Sequence, residues 1–298
     1  MDDGKTIEDI FPSSILHRLL SKILSIVHRP SSIILFLFFF FSCQVPEEGC
    51  TDLAASNFDI TALKTCTNCC TYPVMRLKTE YYWGSESVFF NFGTTYFIGK
   101  DSTRQDSIQF VSAQFFISEI ILTSATSGKL ATVNDSIALY RDKDTIMKPN
   151  YYALVGKNNG FDYTLGHFIN FDTYKNISFK IGIDQDVNKT IPTKMPSSSP
   201  FSNKSDINYD STSNPRSYIF HKLIFAKGVG FKDTVRLNIE TAQTFTSGCN
   251  LTFLSGFDAI IPLKIDYKQL FNTVNVTDST SVMINKIVSN YQYAFKVQ

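Results

Sequence analysis

Few side chains in this sequence are suited to chemistry, and their spacing decides which chemistry that is. The chain has four histidines, and two of them lie beyond the apolar N-terminal stretch: His167, after Gly166, and His221, between Phe220 and Lys222. With Met195, in Lys194-Met195-Pro196, they make a donor set of two imidazoles and a thioether, the nitrogen and soft ligands that copper prefers. Such a site requires the three to converge from distant parts of the chain. Alternation puts Ile219, His221 and Leu223 on one face of a strand, so a packed interior imidazole competes with the ligand reading. Met195 reads as an exposed loop residue. Asp184, Asp186 and Asn188 form a D-x-D-x-N trio, with oxygens at alternate positions as in calcium loops. The glycine and the closing glutamate of a twelve-residue calcium loop are missing. The competing reading is a strand-end cap, because aspartate satisfies turn amides. No G-x-S-x-G, P-loop or dinucleotide fingerprint occurs, and no nucleophile–base arrangement is visible. The expectation is a non-enzymatic binding protein.

The six cysteines stand at 43, 50, 66, 69, 70 and 249. Cys43 closes the run 33–43, IILFLFFFFSC, which stops at a small residue before cysteine as bacterial lipoprotein signal peptides do. Arg18, Lys22, His28 and Arg29 precede it, the charged-then-apolar order of a secretory signal. Its continuous apolar part, 33–41, is far shorter than the ~20 residues of a bilayer-spanning helix. Residues 1–43 therefore read as a signal peptide, with Cys43 as the lipidated residue. Acyl chains at about 0.8 kcal/mol per buried CH₂ would tie the protein to a membrane. The expected location is the cell envelope, as an outer-membrane lipoprotein facing the periplasm or the exterior. The alternative is an uncleaved helix extending back through 24–27, which Arg29 and Pro30 interrupt. Glu47 and Glu48 resemble the surface-export signal of Bacteroidetes lipoproteins.

Export makes Cys50, Cys66, Cys69, Cys70 and Cys249 disulfide candidates, with one thiol left over. Their pairing is not readable from sequence; Cys50 with Cys66 would close a loop worth about 3 kcal/mol. Cys66 and Cys69 have C-x-x-C spacing, but a zinc site needs about four ligands and no histidine is near. Net charge is +1, with no basic cluster of the kind a nucleic-acid surface needs.

The elements that must position these residues read as strands. Phe, Tyr and β-branched residues are abundant, as suits pleated, half-buried surfaces. Apolar runs at 75–78, 88–92, 108–123 (with a break near Ser118), 137–140, 151–155, 177–183, 218–225, 234–239 and 259–265 alternate with polar turns, including 157–160. Val111, Ala113, Phe115 and Ile117 share one face. No helix of crossover length separates the runs, so βαβ units are not expected. The fold class is all-β: an antiparallel β-sandwich with long loops and a short C-terminal helix at 279–290, followed by a strand at 291–297. The domains expected are the signal 1–43, a cysteine-rich tether 44–73 and a sandwich 74–298. The stretch 184–216, with Pro192, Pro196, Pro200 and Pro215, is a long loop. Such loops are functional or disordered, and Phe201 and Tyr209 would suit contact with a glycan or a protein.

Two resemblances follow. GCTDLAASNFDITALKTC, from Gly49 to Cys66, resembles a cysteine-bounded repeat of secreted Bacteroidetes proteins, although Leu63, Lys64 and Thr65 replace its acidic pair and glycine. The core resembles the MbnP-like domain, a family of exported copper-associated proteins. VSAQFFISEIIL at 111–122 matches its early strand, with Glu119 at a normally small position. ISFKIGIDQDVN at 177–188, SYIFHKL at 217–223 and NKIVSNYQYAF at 285–295 match three further blocks. The resemblance implies a β-sheet fold, copper held by histidines beside a tryptophan oxidised to kynurenine, and a dihaem peroxidase partner for that oxidation. The carry-over largely fails here. Tyr209 stands where the family offers tryptophan, Asn238 where it offers histidine, and Trp83 is far upstream. Copper handling is thus expected only in degenerate form, with a metal-free glycan- or protein-binding module as the alternative.

Overall fold

Residues Val74–Tyr82 (β1) bury Met75, Leu77, Thr79 and Tyr81 and turn Lys78 and Glu80 outward. That two-residue period is what a strand with one covered face requires, and it recurs through the chain. The computed structural model describes residues 46–298 apart from 102–103, 157–160, 204–208 and 213–215. The signal segment with Cys43, the turn expected at 157–160, and Asp206, Ile207 and Asn208 lie outside the described residues. Among the described residues, no helix is long and apolar enough to cross a membrane.

Two units separate. In the first, Glu48–Gly49 pairs in parallel with Lys64–Thr65. The second carries the sandwich. Its further strands are Thr95–Asp101 (β2), Arg104–Ser124 (β3), Leu130–Ala131 (β4), Ala153–Gly156 (β5), Asp162–His167 (β6) and Thr173–Ile181 (β7). Then follow His221–Lys227 (β8), Asp233–Ile239 (β9), Gln243–Thr252 (β10), Ala259–Asp266 (β11) and Phe295–Val297 (β12). One sheet has four strands in the order β6-β1-β11-β12; the other has eight, in the order β9-β8-β3-β7-β10, with β2, β4 and β5 also paired to β3. Leu77, Ile261 and Leu263 of the smaller sheet meet Ile117, Ile120, Ile177 and Phe179 of the larger. The expected sandwich is therefore present, with one parallel pairing, β1 with β11. Most of the chain lies between those two strands, ample for the crossover that parallel pairing needs.

The long strand β3 changes partners along its length. It pairs with β8 over 108–115 and with β7 over 117–124. The break expected near Ser118 is a β-bulge: Lys180 and Ser178 of β7 face Ser118 and Ile121, so β3 carries one extra residue. Glu119 occupies it with φ +53°, a left-handed conformation that is uncommon outside glycine.

Helix α3, Thr280–Ala294, follows the one-turn helices α1 (Gln185–Asn188) and α2 (Tyr267–Leu270). It buries Met283, Ile287, Asn290, Tyr291 and Ala294, an i, i+4, i+7 stripe that carries it past the expected end at 290. The strand expected from 291 is confined to β12. Strands β2, β6 and β10 escape sequence reading because none carries an apolar run as long as four residues; β10 is an edge strand rich in Thr, Ser and Asn. Residues 88–92 form no strand, only a bridge between Phe89 and Tyr82. The loop 184–216 does not display its aromatics as expected. Phe201 is fully buried, stacked on Phe116 at 5.4 Å and edge-on to Tyr152 and Tyr218. Tyr209 is half-buried, with its ring 4.9 Å from that of Tyr218.

Candidate functional site

His221 opens β8, opposite Phe115 of β3 and Ile239 of β9. Its ring is 1% exposed. Nδ1 lies 2.8 Å from the Tyr291 hydroxyl of α3, and the ring of Phe115 stands edge-on at 5.2 Å. Burial in this aromatic setting pushes the imidazole down to about 3, because no charge nearby offsets the cost of protonating it away from water. The imidazole is therefore neutral. Its Nε2 has no hydrogen-bond partner among the described residues. No group of three His, Cys, Asp or Glu donors forms around it among them either.

His167 closes β6, in the other sheet, with a half-exposed side chain. Nδ1 is 3.4 Å from Asp135, whose carboxylate also accepts the His167 backbone N–H at 2.7 Å. Met195 ends the 3₁₀ turn Pro192–Lys194 and is buried, contrary to its expected exposure. Imidazole, imidazole and thioether thus sit in three settings: an aromatic interior, a half-exposed contact with Asp135 and a buried turn. Copper needs donors at about 2 Å from one centre, and these residues do not fit it.

The trio Asp184, Asp186 and Asn188 is dispersed as well. Asp186 and Asn188 fall on α1, where residues two apart do not face each other. Asp184 precedes the helix but makes no capping bond; it pairs instead with Lys180, as does Glu119 at 2.5 Å. Asp186 faces Arg141 at 3.3 Å and Lys189 at 3.5 Å. The Asn188 side-chain oxygen accepts the Tyr218 N–H at 2.7 Å. These oxygens root the long loop and do not converge on a cation. Burial and a hydrogen bond with Asp184 push the Glu119 carboxyl up. For Asp184 burial works in the same upward direction, but the hydrogen bonds from Glu119 and Lys180 win and hold it down.

Cys50 pairs with Cys70 and Cys66 with Cys69, so the Cys50–Cys66 loop does not form. Among the described residues Cys249 is the free thiol; it donates to the Tyr174 carbonyl at 3.6 Å, and burial pushes its pKa up. The sulfurs of Cys66, Cys69 and Cys70 lie within 4.8 Å of one another. Asn238 is exposed on β9, opposite Lys222, and Trp83 packs on Tyr96 at 4.3 Å.

Sequence reading missed two relationships, His221 with Tyr291 and Lys180 with Glu119. Each joins residues far apart in the chain, so only strand register or helix docking reveals it. The one local signal was Tyr291, four residues after Ile287 on the apolar stripe.

Residues 72–285 match the family model described as MbnP. Among solved structures, MbnP from Methylosinus trichosporium is similar over 66% of this chain and 76% of that chain, at 12% identity and a TM-score of 0.40. No curated protein matches the chain.

Proposed function

The chain belongs to the MbnP family, and from that premise we propose that it is an exported, lipid-anchored binding protein, not an enzyme, which keeps the family's sandwich without a histidine copper centre. One observation carries the reading: His221, the only buried histidine among the described residues, has Nδ1 committed to Tyr291 inside an aromatic cluster. His167 and Met195 are engaged elsewhere. Tyr209 leaves a dihaem peroxidase without the family's tryptophan at that place. Export and anchoring rest on the run 33–43 and Cys43. The binding role rests on surface contact rather than on a metal.

A second reading has one observation in its favour, the close sulfurs of Cys66, Cys69 and Cys70. A dithiol that delivers two electrons and two protons to each disulfide, ending as a disulfide itself, would free thiols. Thiolates are soft donors suited to Cu(I).

Equilibrium dialysis of the purified chain against Cu(II), and against Cu(I) before and after reduction, separates these readings. The main reading expects no stoichiometric copper on the oxidised chain. One equivalent retained there, and lost in His221→Ala or His167→Ala, would refute it. Copper gained only after reduction, and lost in Cys66→Ser, selects the cysteine reading. Intact mass of the mature N-terminus tests anchoring: an acylated Cys43 is expected, and an unmodified Met1 contradicts it.

A further inference from the structure

The outer edge of β1 is only partly covered. β6 pairs with it no further than Asp162, opposite Lys78. Beyond that, the Thr79 N–H donates to the Phe161 carbonyl at 2.8 Å and the Phe90 N–H donates to the Tyr81 carbonyl at 2.9 Å. A groove of about 540 Å³ opens there, within the roughly 300–1,000 Å³ of small-molecule sites. Its floor is aromatic: Tyr81 and Phe90 are both 5% exposed. Two further rings stand in solvent at its sides, Phe89 at 67% and Phe161 at 63% exposure. Phe161 lies 5.3 Å from the Tyr81 ring and Phe89 stacks on Tyr82 at 5.7 Å. Polar side chains mark the rim: Lys78, Glu80, Asn91 and Asp162.

We infer that this groove binds a neutral carbohydrate chain, with Phe89 and Phe161 stacking on sugar rings. The inference rests on the binding-protein reading above and names its ligand class. Four observations narrow the ligand. The strand edge is engaged at Thr79 and Tyr81, so a peptide cannot run along it as an added strand. The polar rim disfavours a purely apolar ligand, because covering unpaired polar heads is costly. Asp162 is offset by Arg76, and Glu80 accepts the Tyr82 hydroxyl, so the acidic side of the rim does not single out a cation. Lys78 stands on the same rim as these carboxylates, so charges of both signs are present and the rim does not single out an anion either. What remains is a neutral molecule with apolar faces and many hydroxyls. Sugar rings offer C–H faces to aromatic rings, and equatorial hydroxyls to a rim that mixes donors with acceptors. A volume of about 540 Å³ suits a chain rather than a single sugar.

The test is saturation-transfer NMR and calorimetry on the purified full chain in detergent. The probes are neutral hexasaccharides of β-1,4-glucan, β-1,3-glucan and β-1,4-xylan. At least one should bind. Phe89→Ala and Phe161→Ala should each weaken it by about tenfold or more, in keeping with the energy of a lost aromatic contact. Phe89→Trp should retain it. Both rings are exposed, so unchanged circular dichroism and melting should accompany the loss. No binding by any of the three at millimolar sugar overturns the proposal, as does binding that survives both alanine variants. Binding of a neutral decapeptide at the groove, in place of sugar, overturns it too. Copper dialysis reads the parent reading separately, so the two failures are distinguishable.

Discussion

The imidazole of His221 and the phenol of Tyr291 meet at 2.8 Å, joining the start of β8 to the C-terminal helix α3. Both groups are buried. The contact fixes the helix on the larger sheet, and it commits to structure the one buried imidazole that sequence offered as a ligand.

Burial of the His221 imidazole makes stability depend on pH. The folded His221 resists protonation down to about 3, while the unfolded imidazole takes its proton near 6.5. The stabilisation is complete above about pH 6.5 and declines as pH falls toward 3, by about 1.4 kcal/mol per pH unit. Urea midpoints at pH 7, 5.5 and 4.5 should fall in that order. His221→Phe should flatten the trend above pH 4.5; an equal slope in both proteins would discount the imidazole.

Removing one partner should cost more than removing both. Tyr291→Phe leaves His221 unsatisfied at both nitrogens and should destabilise by about 1–3 kcal/mol. The double variant His221→Phe, Tyr291→Phe should recover part of that loss. Strict additivity in a double-mutant cycle would mean the two groups do not interact.

Gly182 is held by backbone geometry. Its φ is +111°, and a Cβ there would lie 2.8 Å from the Ala242 Cβ and 3.0 Å from its Cα. Its N–H donates to the Phe116 carbonyl at 2.8 Å, and its carbonyl accepts the Ser118 hydroxyl at 2.7 Å. Gly182→Ala should therefore destabilise by about 2 kcal/mol or more, read as a lower thermal midpoint. An unchanged midpoint would show that the backbone relaxes freely there.

Lys180 holds two carboxylates together, Glu119 on the bulge and Asp184 before α1. Lys180→Met leaves them facing each other and should cost roughly 1–2 kcal/mol near pH 7, discounted for their partial exposure. Because the lowered Asp184 pKa is a stabilisation present above the usual carboxylate range and lost in acid, the deficit should shrink below about pH 4. Chemical denaturation at the two pH values distinguishes this from a loss that is constant with pH.

Much of the fold was legible because it is local. Alternation in 111–117 and 234–239 announces strands, and Val282, Ile284 and Ile287 announce a helix. The edge strand β10 was not legible, since one half-covered face needs few apolar residues. Neither was the burial of Phe201 and Met195: prolines and serines around them signal a loop, while their packing partners lie in distant segments. The site reading failed for the same reason. His221, His167 and Met195 suit copper by type, but only register and docking decide that they occupy separate surroundings.

The most direct test of the account is long-range ¹H–¹⁵N NMR of the histidine rings in the full chain as one equivalent of Cu(II) is added. His221 should show a neutral imidazole whose signals stay sharp and unshifted. Joint paramagnetic broadening of His221 and His167 below one equivalent, accompanied by the Met195 methyl, would contradict it.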